Sequence, residues 1–317
     1  MMRLASVGTS AISAQFVAAS HHVPTATFTT AYSRDESRAR AFADANGIAS
    51  VSCDLDGLLH SDEIDAVYIA SPNSVHFEQA LSAIRAGKHV LLEKPATPDA
   101  ESFRRLTDEA RASGVVVIEA MRNAYDPAME VIRDLLPTLG TLRRASFAYC
   151  QRSSKYDAFL SGNTFNVFDP GMAGGALLDL GVYCLSSAVL LFGPPDAVVG
   201  RSVPLTTGAD GAGALLLSYP GLLVDISYSK MSHSTRPSEI QGEQGTLVID
   251  HIADPRVLRV EPFGGPSFER EIAKPPGNLQ YSLERFVELV DGDHDCASDH
   301  ARTINTLRIT DEVRNRA

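Results

Sequence analysis

Arg3-Leu4-Ala5-Ser6-Val7-Gly8-Thr9-Ser10-Ala11-Ile12-Ser13 stands at the start of the chain, behind two methionines. Arg3–Val7 is a short apolar run ending in glycine, which predicts a strand and then a turn. Ile12–Ala19 follows as a helix. Small residues between strand and helix let backbone N–H groups and a helix N-terminus approach an anion, as a dinucleotide pyrophosphate requires. The complete fingerprint is GxGxxG, and here Ser10 and Ser13 stand at its second and third glycine positions. Alone, the loop reads equally well as an ordinary βα turn. Its surroundings decide between the two.

Thr25–Tyr32 is rich in β-branched and aromatic residues and reads as a strand. Ser33-Arg34-Asp35-Glu36 has the form of a capping box, and Gly47 sits at a helix C-cap, so Asp35–Asn46 is a predicted helix. Ile64–Ala70 is a near-continuous apolar run, as in a buried parallel strand. Ser74–Ala86 is helical and stops at Gly87. His89–Leu92 is the next strand and ends in Glu93-Lys94-Pro95. Thr97 caps a helix with Pro98 in its first turn, running to about Ser113. Val115–Glu119 is another strand. Strand and helix alternating in units of roughly 30 residues predict a doubly wound parallel sheet, the Rossmann arrangement. That reading favours a cofactor loop at Gly8.

Beyond residue 121 the alternation stops. Asp126-Pro127 opens a helix to about Leu136, Leu142–Cys150 is a strand, and Gly175–Phe192 is a long helix closed by Gly193-Pro194-Pro195. Strand-like runs follow at Ala197–Val203, Ala214–Tyr219, Leu222–Lys230, Glu239–Gln241, Thr246–Asp250 and Val257–Val260. Helices at Tyr281–Asp291 and Asp299–Arg316 close the chain. This order predicts an α/β protein of two domains. Residues 1–121 form the Rossmann domain, and 122–317 an α+β domain on a mostly antiparallel sheet.

The bulk numbers agree with that division. A single core rarely grows past about 250–300 residues, and this chain has 317. Hydrophobic residues make up 44% and charged residues 21%, ordinary for a globular protein. The formal net charge is -11 and no dense Lys/Arg stripe exists, which argues against nucleic acid and anionic membrane as partners. Cys53, Cys150, Cys184 and Cys296 are scattered without a CxxC pair. Free thiols in a reducing cytoplasm are expected, and no metal site. Gly8, Thr9, Ser10, Ser13 and Gln15 interrupt any secretory apolar region. Gly175–Gly193 carries Asp179, Tyr183 and two serines, which makes it too polar for a membrane span.

Three further places carry candidate chemistry. At Tyr32-Ser33-Arg34, where NAD-preferring sites usually hold an acidic residue, the chain offers a hydroxyl and a guanidinium suited to a 2′-phosphate. Asp35 and Glu36 keep NAD in play, and Ser33 and Arg34 also read as a cap and a solvated side chain. Lys94 ends a strand at the sheet edge where ligands bind, or is a surface lysine before a turn. Asp179 and Tyr183 are four apart and share one face of an apolar helix. A carboxylate there is costly without a partner, so the pair is either a proton-handling site or a satisfied core pair.

Together, Val7-Gly8-Thr9-Ser10, Ile69-Ala70-Ser71-Pro72-Asn73-Ser74-Val75-His76, Ala86-Gly87-Lys88-His89-Val90-Leu91-Leu92-Glu93-Lys94-Pro95 and Gly174-Gly175-Ala176-Leu177-Leu178-Asp179-Leu180-Gly181-Val182-Tyr183 resemble the Gfo/Idh/MocA oxidoreductases in order and spacing. The resemblance spans nearly the whole chain and is nearest the glucose–fructose oxidoreductase and dimeric dihydrodiol dehydrogenase branch. It implies an open sheet in the second domain, often used for dimer contacts, and hence a homodimer or homotetramer. It implies that Gly8, Thr9, Ser10, Ala11 and Ile12 lie along the pyrophosphate. Ser33 and Arg34 meet the adenosine ribose or its phosphate. Ser71, Pro72, Asn73 and His76 line the cofactor, and Glu93 contacts the nicotinamide-side ribose. Lys94 matches the catalytic lysine and Asp179 the motif aspartate. Many members carry His where this chain has Tyr183, which points to a tyrosine acid/base and away from inositol dehydrogenases. Arg122 is a candidate cofactor or substrate contact, and Arg152, Tyr156 and Phe165 are candidate substrate contacts.

The implied reaction is hydride transfer between nicotinamide and a hydroxyl or carbonyl carbon of a sugar, cyclic polyol or dihydrodiol. Tyr183 moves the proton, Lys94 polarises the oxygen and Asp179 orients the pair. The rivals are a non-catalytic cofactor-binding sensor and a redox-neutral sugar-modifying enzyme that keeps its nicotinamide bound. With Arg34 at the end of the second strand, NADP is the expected cofactor and NAD the alternative. Fluorescence titration with NADPH and NADH checks this, and the expected outcome is tighter binding of NADPH.

Overall fold

The structure, a computed structural model, describes residues 1–315. The first unit takes Met1–Arg122 and Gly277–Ile304, and the second takes Asn123–Pro276 and the residues from Asn305 onward. The expected division at residue 121/122 places one segment differently, because Gly277–Ile304 returns to the first unit. There the Thr303 hydroxyl donates to the buried Glu119 carboxylate at 3.1 Å, and His300 Nε2 meets the Val117 carbonyl at 2.8 Å. Such groups, removed from water, need partners.

Along the chain run β1 (Met2–Val7), α1 (Ala11–Ser20), β2 (Ala26–Tyr32), α2 (Glu36–Asn46), β3 (Ser50–Ser52), α3 (Leu55–Leu59), β4 (Ala66–Ile69), α4 (His76–Arg85), β5 (His89–Leu92), α5 (Ala100–Ser113) and β6 (Val117–Glu119). All six strands pair in parallel in the order β3-β2-β1-β4-β5-β6. The doubly wound sheet is therefore as expected. Val7 pairs with Tyr32 and Ile69, Ile69 with Leu92, and Leu92 with Glu119. Five strands thus end at one edge, and the order reverses between β1 and β4, which opens a crevice there.

Some local expectations change. Asp35, not Ser33, caps α2, accepting from Arg38 N–H at 3.1 Å, while Ser33 Oγ accepts from Asp35 N–H at 3.3 Å. Asp99, not Thr97, caps α5. In both places the first side chain shapes the approach and the next carboxylate takes the cap. β3 and α3 escaped the sequence reading because three and five residues are too few to show a period.

The second unit continues with α6 (Pro127–Leu135), β7 (Leu142–Cys150), α7 (Tyr156–Leu160), a π-helical turn at Leu177–Gly181 and α8 (Val182–Phe192). Then come β8 (Ala197–Pro204), β9 (Asp210–Tyr219), β10 (Leu222–Ser229), β11 (Ser238–Gly242), β12 (Gly245–Ile249), β13 (Val257–Pro262) and β14 (Phe268–Glu271). The strand order is β14-β13-β12-β11-β7-β10-β9-β8, antiparallel everywhere except between β7 and β10. Strand β14 was missed because its four residues are all exposed and show no apolar alternation. Helices α9 (Leu279–Asp291) and α10 (Ala297–Asn315) close the described chain, and Arg316, placed in the last expected helix, lies outside the described residues.

Alternation along β10 sets the two faces. Leu222, Val224, Ile226 and Tyr228 are buried in one core with Leu177, Leu185 and Val189 from the helical side and Met129 and Ile132 of α6. Leu223 and Asp225 point the other way. Pro170–Phe192 has the length and apolarity of a membrane span, but 78% of its most apolar window is buried inside the protein, so its apolarity serves this core.

Lys274 holds the approach to α9. Its ammonium is ion-paired with Asp126 and, at 2.8 Å, with Asp254, and the Lys274 and Asp126 side chains are wholly buried. Asp126 also caps α6, accepting from Ala128 N–H at 3.0 Å. Removing one member of such a group strands a buried charge. Lys274→Met is expected to lower unfolding free energy by about 3–5 kcal/mol in chemical denaturation followed by tyrosine fluorescence.

Candidate active site

The crevice edge of the first unit is shaped by backbone before side chains. Gly8 has φ +124°, and a Cβ there would lie 2.7 Å from the Ala70 carbonyl oxygen. Only glycine lets β1 turn this closely past the end of β4. Ser10 then caps α1 and exchanges hydrogen bonds with Ser13, so the two serines standing in for glycines form a capping box. Gly8 N–H donates to the Tyr32 carbonyl at 3.3 Å, which sets the end of β2 beside the loop. There Arg34 is exposed, and among the described residues its guanidinium has no hydrogen-bond or ion-pair partner. Open α1 N-terminal amides, a loop without side-chain bulk and an available cation at the end of β2 fit a dinucleotide with a phosphorylated ribose.

Next along the edge, Ser71 Oγ donates to Gln79 Oε1 at 2.5 Å, while Pro72 is exposed and Asn73 half-buried. His76 departs from its expected place along the cofactor. It is fully buried, with Nε2 2.9 Å from the Ser71 carbonyl and Nδ1 3.1 Å from the Pro95 carbonyl. It braces two loops and has no surface left for a ligand. Burial lowers its pKa, and the Ser71 and Pro95 carbonyls beside the ring pull it back up.

Glu93 is also buried. Its carboxylate accepts from the Tyr68 hydroxyl at 2.9 Å and from Lys94 N–H at 3.0 Å. Burial raises its carboxyl above the usual range, against the pull of Lys94 and Arg122. Lys94 is half-buried directly after β5, and the Lys94–Pro95 bond is cis.

In the second unit the residues of the second motif gather around the π-helical turn. Gly175 has φ +130°, and a Cβ there would meet Asp210 Oδ1 at 2.1 Å. Through that gap Asp210 reaches the helix start and accepts from Leu177 N–H at 2.7 Å. Burial raises the Asp210 carboxyl, and the Leu177 amide opposes it. Tyr183 follows at the start of α8, 6% exposed. Its ring packs at 5.5 Å from that of Tyr149 on β7, and its carbonyl accepts from Asn123 Nδ2 at 3.2 Å.

The sequence reading left Asp179 in need of a partner, and the structure supplies Lys230, just beyond β10, as an ion pair. Lys230 continues the inward parity of Val224, Ile226 and Tyr228. A lysine on the apolar register of a strand was the signal that could have found it.

Arg152, Tyr156 and Phe165 lie in a satellite aromatic cluster. Tyr156 and Phe165 pack edge-on against buried Phe168. Arg152 stacks over Tyr156 at 5.1 Å and grips Asp157 with two hydrogen bonds at 2.7 and 2.8 Å. That guanidinium is engaged within its own segment.

Residues 2–121 match an oxidoreductase family with an NAD-binding Rossmann fold, and residues 136–248 match the GFO/IDH/MocA C-terminal domain. The chain is 39% identical over 316 residues to the scyllo-inositol 2-dehydrogenase (NADP(+)) IolU of Bacillus subtilis, covering 99% of this chain and 96% of that one. It is 31% identical to mouse trans-1,2-dihydrobenzene-1,2-diol dehydrogenase, covering 72% and 67%. KijD10, a 3-ketoreductase from Actinomadura kijaniata solved with NADP and TDP-benzene, shares the fold with a TM-score of 0.87 over 99% of this chain and 97% of its own, at 24% identity. Two matching domains in the right order, on a crevice shaped for a dinucleotide, make this chain an oxidoreductase of the Gfo/Idh/MocA family.

Proposed function

We propose that the chain is an NADP-dependent dehydrogenase or reductase acting on a CH–OH carbon of a cyclic polyol or sugar, with Tyr183 as acid/base. The observation that carries this is the Asp179–Tyr183 pair. It is a carboxylate and a phenol one turn apart on an otherwise apolar stretch, with the carboxylate neutralised by Lys230. A polar pair kept in such surroundings costs free energy, and proton handling is a reason to keep it.

Arg34 and Ser33 bind the 2′-phosphate in this reading, and Gly8 through Ile12 follow the pyrophosphate. The nicotinamide, when bound, accepts or delivers the hydride. Tyr183 takes the proton from the substrate hydroxyl, or returns it to the carbonyl oxygen. Lys94 polarises that oxygen, and Asp179 orients the groups around it. Glu93, buried and anchored by Tyr68, fixes the turn from which Lys94 projects. The identity to a scyllo-inositol dehydrogenase favours a cyclitol among the sugars, cyclic polyols and dihydrodiols expected from the sequence, although Tyr183 stands where many family members carry His. Dihydrodiols and sugars are the next classes to assay.

The outer face of the eight-stranded sheet is the proposed self-association surface. Val199 and Leu216 face each other across β8 and β9, and Val203 and Leu223 extend the patch, all four exposed. Exposed apolar patches of this kind mark contact surfaces, here for a homodimer or homotetramer. Four free cysteines are compatible with a cytoplasmic setting.

Two variants test the reading. Tyr183→Phe should lose about 10²–10⁴ in turnover while NADPH binding survives; turnover equal to the parent on its best substrate would remove Tyr183 from the mechanism. Arg34→Ala should weaken NADPH by about tenfold in fluorescence titration and leave NADH nearly unchanged. Equal losses for both cofactors would argue against 2′-phosphate recognition.

A further inference from the structure

Lys230 is absent from the motifs that mark the family's site, yet it is tightly held. Its backbone is pinned on both sides. Its N–H donates to the Gly211 carbonyl at 2.8 Å, and its carbonyl accepts from Ser153 N–H at 2.9 Å. Its side chain is 10% exposed. An ammonium carries three N–H donors and no acceptor. Among the described residues, one of those donors goes to Asp179 and no other hydrogen bond is made by Nζ. Neutralising Asp179 accounts for one donor. The others sit in an almost fully buried position where unsatisfied donors are costly.

We infer that Lys230 is a substrate-binding residue whose remaining N–H donors receive a ring hydroxyl next to the reacting carbon, so that Lys230 and Asp179 together read a pair of neighbouring hydroxyls. A hydroxyl both donates and accepts, and the ion pair presents a donor beside an acceptor. The adjacent Asp179 carboxylate disfavours an anionic ligand, and the pair's near-zero net charge suits a neutral polyol. Tyr149, half-buried against Tyr183, supplies an aromatic wall beside the same helix. The inference rests on the reading of Tyr183 as acid/base, since it is that residue which places the reacting carbon near Asp179.

The test is calorimetric titration of scyllo-inositol into the protein saturated with NADPH, a complex in which no hydride can move. Lys230→Met is expected to weaken inositol binding by about 10–100-fold, the scale of a lost charge-assisted hydrogen bond. Lys230→Arg, which keeps charge and donors, should recover most of that loss. NADPH affinity and the thermal midpoint report whether each variant is folded. Adding Asp179→Asn to Lys230→Met should not restore binding. Restoration would show that Lys230 serves only as a counter-ion and would overturn the inference. So would inositol affinity in folded Lys230→Met or Lys230→Gln within twofold of the parent. A parent protein that binds NADPH but no inositol, and turns over no polyol, overturns the functional reading and the inference with it. Binding that the Lys230 variants leave unchanged overturns the inference alone.

Discussion

Parallel strands cannot be joined by tight turns, and that constraint organises the first unit. Each strand returns through a crossover, so successive strands end at one edge of the sheet. The register makes this concrete, with Val7, Tyr32, Ile69, Leu92 and Glu119 aligned across five strands. Gly8, Ser33, Ser71 and Glu93 lie far apart in sequence and become neighbours along that line. The reversal of strand order beside β1 leaves a crevice there, and the close pass of Gly8 over Ala70 keeps it clear of side chains.

A second constraint is the cost of burying charge. Three carboxylate sites meet it differently. Glu93 is held by a phenol and a peptide N–H, and burial still raises its carboxyl. Asp126 and Asp254 share Lys274 in a group that ties the chain together ahead of α9. Asp179 takes Lys230, a cation with donors left over. In the third, the ammonium of Lys230 makes no hydrogen bond besides the one to Asp179 among the described residues.

The second motif, Gly174–Tyr183, shows how local chemistry and tertiary packing combine. The periodicity predicts one helix from Gly175 to Phe192. Asp210, reaching in from β9, instead holds the start at Leu177, and the first turn winds as a π-helix before α8 begins. π-turns are rare and concentrate at functional sites. Here the turn carries Asp179, and the next residues carry Tyr183.

The sequence by itself determined the βαβ alternation, the extent of β5 and β7 and the strand–turn–helix at Gly8. These depend on local periodicity, glycine placement and short-range order, which a linear string preserves. It also carried Asp126 as a helix start, because a cap is read within a few residues. Only the tertiary structure decided that Gly277–Ile304 returns to the first unit. It alone buried His76 as a brace and joined Asp179 to Lys230 and Leu177 to Asp210. Those outcomes rest on contacts that span 19 to 184 positions of the chain. Which buried donor meets which acceptor is fixed by packing of the folded chain, and no local pattern encodes it.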